Sequence, residues 1–165
     1  DFYPMKRLAD ITAVTRRFYR EWDEAAYRHY LEVFELDEGK RVNQLSAGMR
    51  VKYAIALALS HRAELLILDE PTSGLDPVAR DDLLELFLVL ARREARSILF
   101  STHITSDLEK CADDITYIKN GTVLASADKD SFYRSFQHLL APGESGPLTL
   151  EEIMVRTERR GYHDL

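Results

Sequence analysis

The chain has 165 residues, of which 45% are hydrophobic and 30% charged, a length and composition typical of a globular protein with one core. Its formal net charge of −6 offers no basic field to a nucleic-acid backbone, so we expect no nucleic-acid partner. The longest uninterrupted apolar run, Tyr53–Leu59, is far shorter than the roughly eighteen residues that a membrane-spanning helix needs. We also expect no export signal at the N-terminus, and a small buried thiol without an internal disulfide for the single cysteine, Cys111.

The first third of the chain is predicted to form a helical hairpin, because apolar residues recur there at helical spacing. The first set is Met5, Leu8, Ile11, Val14 and Phe18, and the second is Ala26, Tyr27, Tyr30, Leu31 and Phe34. Asp23 is placed to cap the second helix. A third helix follows the run LSAGMR, and its stripe consists of Met49, Tyr53, Ala56 and Leu57.

The middle of the chain is predicted to be a βαβ unit with parallel strands. The apolar run LLIL begins at Leu65, a helical pattern extends from Pro77 to about Arg93, and a second apolar run, SILFST, follows.

The C-terminal third is predicted to contain a helix, a hairpin and two further helices. Ser106 and Glu109 have the spacing of a capping box, and the dipeptide at Asn120 indicates a type I′ hairpin turn. A helix is expected over residues 130–140, and Thr149 with Glu152 predicts a second capping box after the loop APGESGP.

Two adjacent carboxylates, Asp69 and Glu70, follow the first apolar run directly. Ligands of open α/β sheets bind at the carboxyl ends of the strands, where a cation would offset the repulsion of the pair. The pair is therefore predicted to hold Mg²⁺ and to orient the water that attacks a phosphate. The alternative is that the two residues only end the strand in water.

Four segments occur in the order and at the spacing of the ATP-binding-cassette (ABC) ATPases. They are LSAGM before a helix, LLILDEP, SGLDP directly after it, and STHI at the end of the next strand. The resemblance extends from about Val42 to Ser126, and the two ends of the chain are similar to cassettes of ABC-2 type exporters. It implies an α/β fold, in which part of a P-loop NTPase (RecA-like) parallel sheet carries an ABC-type helical subdomain. The implied divisions are a helical subdomain over residues 1–60, the C-terminal part of the RecA-like core over 61–128, and a C-terminal helical extension over 129–165.

The resemblance also implies roles for the polar residues at the strand ends. Asp69 resembles the Walker B aspartate that holds Mg²⁺, and Glu70 resembles the catalytic glutamate that polarises the attacking water. His103 is similar to the switch histidine that senses the γ-phosphate. The alternative for His103 is a core histidine bonded to the backbone.

Two further segments resemble motifs that act across a cassette dimer. Leu45, Ser46, Ala47, Gly48 and Met49 resemble the signature motif, which binds the γ-phosphate of ATP held by the opposite subunit. Its usual first glycine and its glutamine are replaced by Ala47 and Met49. Alternatively, Ser46 is simply a helix cap.

The D-loop, which contacts the partner's site, is matched by Ser73, Gly74, Leu75 and Asp76. Asp76 followed by Pro77 also has the pattern of an ordinary helix start, and both roles are compatible.

None of the seven glycines begins a G-x-x-x-x-G-K-[ST] loop, which would grip the β- and γ-phosphates. We therefore expect a cassette portion that begins after the Walker A loop and the Q-loop. The isolated chain is predicted neither to bind ATP tightly nor to hydrolyse it. An uncovered sheet edge and apolar face are expected to favour self-association.

The function implied by the resemblance is that of the ATP-binding subunit of an exporter, with ATP and Mg²⁺ as cofactors. Its expected partners are a second ABC ATPase subunit, in a homo- or heterodimer, and a transmembrane permease subunit. The implied location is cytoplasmic, peripheral on the inner face of the cell membrane. A non-catalytic module that docks on an intact cassette is the alternative, and a soluble ABC ATPase acting on ribosomes is a third possibility.

Overall fold

The computed structural model describes residues 3–158, which divide into two compact units with the break after Thr102. The division into three parts, with boundaries at residues 60 and 128, remains a prediction.

Two helices at the start of the first unit confirm the sequence-based expectation. Helix α1 (Leu8–Thr15) continues into a short 3-10 turn (Arg16–Phe18), and α2 is Glu24–Val33. Asp23 caps α2 as predicted, because its carboxylate accepts the backbone N–H of Ala26 at 3.0 Å.

The buried face of α1 is not the apolar stripe that predicted the helix. Phe18 is 79% exposed and Val14 55% exposed, and Met5 is exposed as well. Leu8 of the stripe is buried and Ile11 is half-buried, and Thr12, which lies outside the stripe, is buried as well. The stripe prediction is therefore confirmed at Leu8 and wrong at Met5, Val14 and Phe18, because a buried polar contact at Thr12 also fixes which side of the helix faces the core.

That contact is a hydroxyl cluster around Thr12. The Thr12 hydroxyl lies 2.7 Å from the Tyr27 hydroxyl and 2.8 Å from that of Tyr53. Tyr27 donates to the Glu38 carboxylate at 3.1 Å, and Tyr53 donates to the Leu8 carbonyl at 3.0 Å. Burial raises the pKa of Tyr53 to about 12 and raises the pKa of Tyr27 as well, so both phenols remain protonated.

Helix α3 (Ala47–Ser60) is the predicted alanine-rich helix, and it packs against α2. Its buried residues are Gly48, Tyr53, Ile55, Ala56, Leu59 and Ser60. Tyr53 and Ala56 of the predicted stripe are therefore in the core, whereas Met49 and Leu57 are half-buried.

The predicted parallel βαβ unit is confirmed. Strand β1 (Leu65–Asp69) pairs in parallel with β2 (Ser97–Ser101), and α4 (Pro77–Arg93) connects them. Helix α4 packs against β2 and α3, and the Phe87 ring centroid lies 5.5 Å from that of Phe100.

The opposite face of this strand pair is apolar and open to solvent. Leu65, Ile67 and Leu99 are 51%, 71% and 59% exposed. This is the uncovered apolar face that the sequence led us to expect, whereas self-association through it remains a prediction.

The second unit consists of an antiparallel hairpin and surrounding helices. Its elements are α5 (Thr105–Cys111), β3 (Asp114–Lys119), β4 (Thr122–Asp128), α6 (Lys129–Ser135), a 3-10 turn (Gln137–Leu139) and α7 (Leu150–Glu158). Its core is Ile115, Phe132, Phe136, Leu148, Leu150 and Ile153. The helix predicted over 130–140 therefore ends earlier, at Ser135, and a 3-10 turn follows it.

Two local predictions in this unit are confirmed. The turn between the strands has φ of 49° at Asn120 and 75° at Gly121, as a type I′ hairpin requires. The second capping box is present, because Thr149 N–H donates to the Glu152 carboxylate at 2.8 Å and Glu152 N–H donates to the Thr149 hydroxyl at 3.2 Å.

The prediction of a first capping box, at Ser106 and Glu109, is wrong. Helix α5 begins at Thr105 with Ile104 as its N-cap, so Ser106 lies inside the helix. The Glu109 carboxylate instead accepts the N–H of Leu150 at 3.2 Å. The first amide of α7 has no intrahelical acceptor, and the Glu109 carboxylate supplies one.

Within residues 3–158, no helix combines the length and the apolar composition needed to cross a membrane.

Candidate functional site

The carboxylate pair lies at the carboxyl end of β1, next to the end of β2. Asp69 is the last residue of β1 and stands directly opposite Ser101, the last residue of β2. The Ser101 hydroxyl donates to the Asp69 carboxylate at 2.5 Å. The Glu70 N–H donates both to the Ser101 carbonyl, at 3.1 Å, and to its hydroxyl, at 3.0 Å.

Glu70 leaves the strand through a sharp turn. Its φ of 46° is in the left-handed region, which non-glycine residues seldom adopt. The Glu70 carbonyl accepts the N–H of Ser73 at 3.1 Å, and this closes the turn. The chain reverses immediately after the two carboxylates, as expected for a site built at a strand end.

The SGLD segment (Ser73–Asp76) connects this turn to α4. Gly74 has a φ of 73°, a conformation that favours glycine. One oxygen of the Asp76 carboxylate accepts the N–H groups of Val78 and Ala79, each at 3.1 Å, while Pro77 occupies the first helical position. Asp76 is therefore the N-cap of α4, and its role toward a partner subunit remains a prediction.

The LSAGM segment (Leu45–Met49) forms the start of α3. Leu45 is buried, and Ser46 is the N-cap, because its hydroxyl oxygen accepts the N–H of Met49 at 3.1 Å. Since that bond uses a lone pair, the hydroxyl proton of Ser46 is still available to an acceptor. The first N–H groups of α3 lie at the positive end of its dipole, which suits an anion.

The LSAGM and SGLD segments are neighbours within the first unit. A Cβ atom on buried Gly48 would lie 3.5 Å from the Cβ of Ala79 and 3.9 Å from a methyl of Leu75. Lys52 on α3 also pairs with Asp82 on α4, with an N to O distance of 3.9 Å. The starts of α3 and α4 are thus packed side by side.

His103 belongs to the second unit and is exposed. Its exposure argues against the core-histidine alternative. Its role as a phosphate sensor remains a prediction.

Ser101 is the polar residue that reading the sequence missed. The run SILFST was interpreted as an apolar strand and, within STHI, only His103 was given a role, although a serine that ends a strand parallel to the carboxylate strand was a usable signal. Only the pairing register of β1 and β2 places Ser101 opposite Asp69.

A family model described as "AAA domain, putative AbiEii toxin, Type IV TA system" matches residues 5–106. The chain belongs to this AAA domain family.

Curated relatives of this AAA domain are ATP-binding subunits of ABC transporters. The chain is 29% identical, over 82% of its length, to the ABC transporter ATP-binding protein YtrB of Bacillus subtilis. It is 34% identical, over 73% of its length, to the energy-coupling factor transporter ATP-binding protein EcfA2 of Halalkalibacterium halodurans. The aligned parts cover 46% and 43% of these relatives, so the chain spans about half of their length.

A solved structure, titled "Structure of ATP binding subunit of ABC transporter", shares the fold with a TM-score of 0.72 and 30% identity. The match covers 96% of this chain and 65% of that one. The predicted fold class is confirmed: an α/β arrangement with a parallel strand pair, corresponding to part of the P-loop NTPase fold of ABC ATPase domains.

Proposed function

We propose that this chain is part of the ATP-binding subunit of an ABC transporter of the ABC-2 exporter type. It would contribute the carboxylates for hydrolysis and, at the start of α3, the groups that bind a γ-phosphate. The observation that carries the proposal is the placement of Asp69 and Glu70 at the end of β1, in a unit whose relatives are ABC ATP-binding subunits. A structural terminator of a strand would not need two adjacent carboxylates.

Asp69 is proposed to hold Mg²⁺ and Glu70 to orient the attacking water. Among residues 3–158, no group of three or more His, Cys, Asp and Glu residues is arranged to hold a metal ion. This fits Mg²⁺ in a nucleotide site, which needs only one or two carboxylates because phosphate oxygens and water complete its shell. Asp69 is exposed, so its carboxylate is accessible to such an ion. When bound, the ion would neutralise charge on the phosphates.

The LSAGM segment is proposed to bind the γ-phosphate of ATP held by a second cassette subunit. Ser46 has a hydroxyl proton available for donation, and the start of α3 offers backbone N–H groups. Ala47 adds a methyl group where the family usually has its first glycine, while the second glycine is retained as Gly48. Asp76 and the rest of the SGLD segment are proposed to contact the same partner, and His103 to sense the phosphate.

These 165 residues contain no Walker A loop, so we propose that they cannot grip ATP without a further phosphate-binding segment. ATP binding would close a cassette dimer, homo- or heteromeric, and hydrolysis would reopen it. A transmembrane permease is the proposed recipient of that motion, with the cassette on the inner face of the membrane.

The test is turnover by the chain produced together with the sequence encoded upstream of it. Glu70→Gln is expected to retain ATP binding and to lower phosphate release by about 10²- to 10⁴-fold, because an amide cannot accept the proton of the attacking water. Glu85→Gln is the matched control, since Glu85 is an exposed carboxylate on α4, and it is expected to behave as wild type. Equal phosphate release by the Glu70 variant and the wild type would contradict the assignment. Docking on an intact cassette without turnover would instead support the regulatory module.

A further inference from the structure

We propose that Ser101 is a positioning residue for the ATP-hydrolysing site, and this inference rests on the proposed function. A single hydroxyl connects both carboxylate residues: Ser101 Oγ donates its proton to Asp69 and accepts the backbone N–H of Glu70. A serine hydroxyl has one proton and two lone pairs, so it can make both bonds at once.

The bond to Asp69 restricts the orientation of the predicted metal ligand. Asp69 is exposed, and an exposed carboxylate otherwise samples several rotamers. The separation of 2.5 Å between Ser101 Oγ and Asp69 Oδ1 is that of a charge-assisted hydrogen bond. Hydrogen-bond partners of metal-ligating side chains orient those ligands before the metal arrives.

The bond to Glu70 supports an unusual backbone conformation. The Glu70 N–H donates to both the carbonyl and the hydroxyl of Ser101. The backbone φ of Glu70 is 46°. Non-glycine residues remain in the left-handed region when several surrounding contacts hold them there. Ser101 therefore contributes to keeping the predicted catalytic residue in its turn.

Ser97 provides a matched control on the same strand. It is the first residue of β2 and stands opposite Leu65, whereas Ser101 ends the strand opposite Asp69. Both serines are exposed, so replacing either by alanine makes the same chemical change at opposite ends of one strand.

The first measurement is made on the 165-residue chain and needs no nucleotide. Ser101→Ala removes one of the two acceptors of the Glu70 N–H, and exchange of that amide proton, followed by NMR, is expected to become about two- to tenfold faster. Ser101→Thr retains the hydroxyl and is expected to restore the slow rate, and Ser97→Ala is expected to leave it unchanged.

The second measurement uses the ATP-hydrolysing protein with the upstream sequence. Ser101→Ala is expected to raise the Mg²⁺ concentration needed for half-maximal turnover by about tenfold, with a smaller change in KM for ATP. Ser101→Thr is expected to return this requirement to the wild-type value. A general loss of structure would not produce this combination.

Three results would overturn the inference. They are an unchanged metal requirement in Ser101→Ala, no rescue by Ser101→Thr, and an equal effect of Ser97→Ala. If the wild-type protein neither binds nor hydrolyses ATP, the proposed function fails together with this inference. If wild type is active and Ser101→Ala matches it, this inference alone fails.

Discussion

Replacing Asp76 separates its observed structural role from its proposed role at a dimer interface. The Asp76 carboxylate accepts two backbone N–H groups, those of Val78 and Ala79, each at 3.1 Å. Asp76→Ala leaves both of these donors without their side-chain acceptor, while Asp76→Asn retains a carbonyl oxygen that can accept the same bonds.

The expected loss of unfolding free energy for Asp76→Ala is about 1 kcal/mol, within the range of roughly 0.5–2 kcal/mol for N-cap removal. With a urea dependence of about 1–3 kcal/mol per molar, the unfolding midpoint should fall by roughly 0.3–1 M. Trp22 is the sole tryptophan and lies in the same unit as Asp76, so its fluorescence reports on unfolding of that unit.

Asp76→Asn is expected to unfold within about 0.3 kcal/mol of wild type. Any loss of ATP turnover in the Asn variant would then belong to the partner contact rather than to capping. If Asp76→Asn were as unstable as Asp76→Ala, or if Asp76→Ala were as stable as wild type, capping by the side-chain oxygen would not stabilise α4.

Three further predictions follow from side chains away from the carboxylate pair. Thr12→Val retains the shape of the side chain but removes the hydroxyl that contacts two buried phenols. The free energy of unfolding, followed by Trp22 fluorescence, should therefore fall by about 1–3 kcal/mol. An unchanged free energy of unfolding would show that the hydroxyl cluster does not stabilise the first unit. Cys111 is half-buried rather than fully buried as predicted, and this burial raises its pKa to about 11 from an ordinary 9.0. Its alkylation near pH 8 should therefore be about a hundredfold slower than that of a free thiol, and equal rates would contradict this raised pKa. The Arg156 guanidinium lowers the pKa of the Glu144 carboxyl from its ordinary 4.5, so this pair stabilises the second unit fully above that pH and loses its effect as pH falls further. Urea unfolding followed by circular dichroism between about pH 3 and pH 6 should show Glu144→Gln less stable at the upper end and converging with wild type in acid, whereas a constant difference would contradict the linkage.

Local signals predicted the elements of this fold well. Asp76 followed by Pro77 marks the start of α4, and the helix ends at Arg93 as expected. The Asn120–Gly121 turn and the Thr149 capping box also depend on interactions between near neighbours in the chain. Such features can be read from a short window because the atoms involved are only a few residues apart.

Features that depend on distant contacts could not be predicted in the same way. The buried face of α1 is determined by two phenols that meet Thr12 from α2 and α3. The Glu109 carboxylate accepts a hydrogen bond from the first residue of α7, which lies 41 positions further along the chain. The hydroxyl of Ser101 reaches Asp69 only because two strands pair in a particular register. The predicted site residues identified the strand end, whereas the interaction that orients them needed three-dimensional structure.

We propose that these 165 residues include the hydrolytic and phosphate-binding parts of an ATP site but not the loop that grips the phosphates. Calorimetry of Mg·ATP binding tests it most directly, with the 165-residue chain compared to the same chain joined to its upstream sequence. We expect no measurable binding heat for the chain alone and clear binding for the joined protein. Tight binding by the chain alone would contradict it, because the phosphates would then be held by groups other than those assigned.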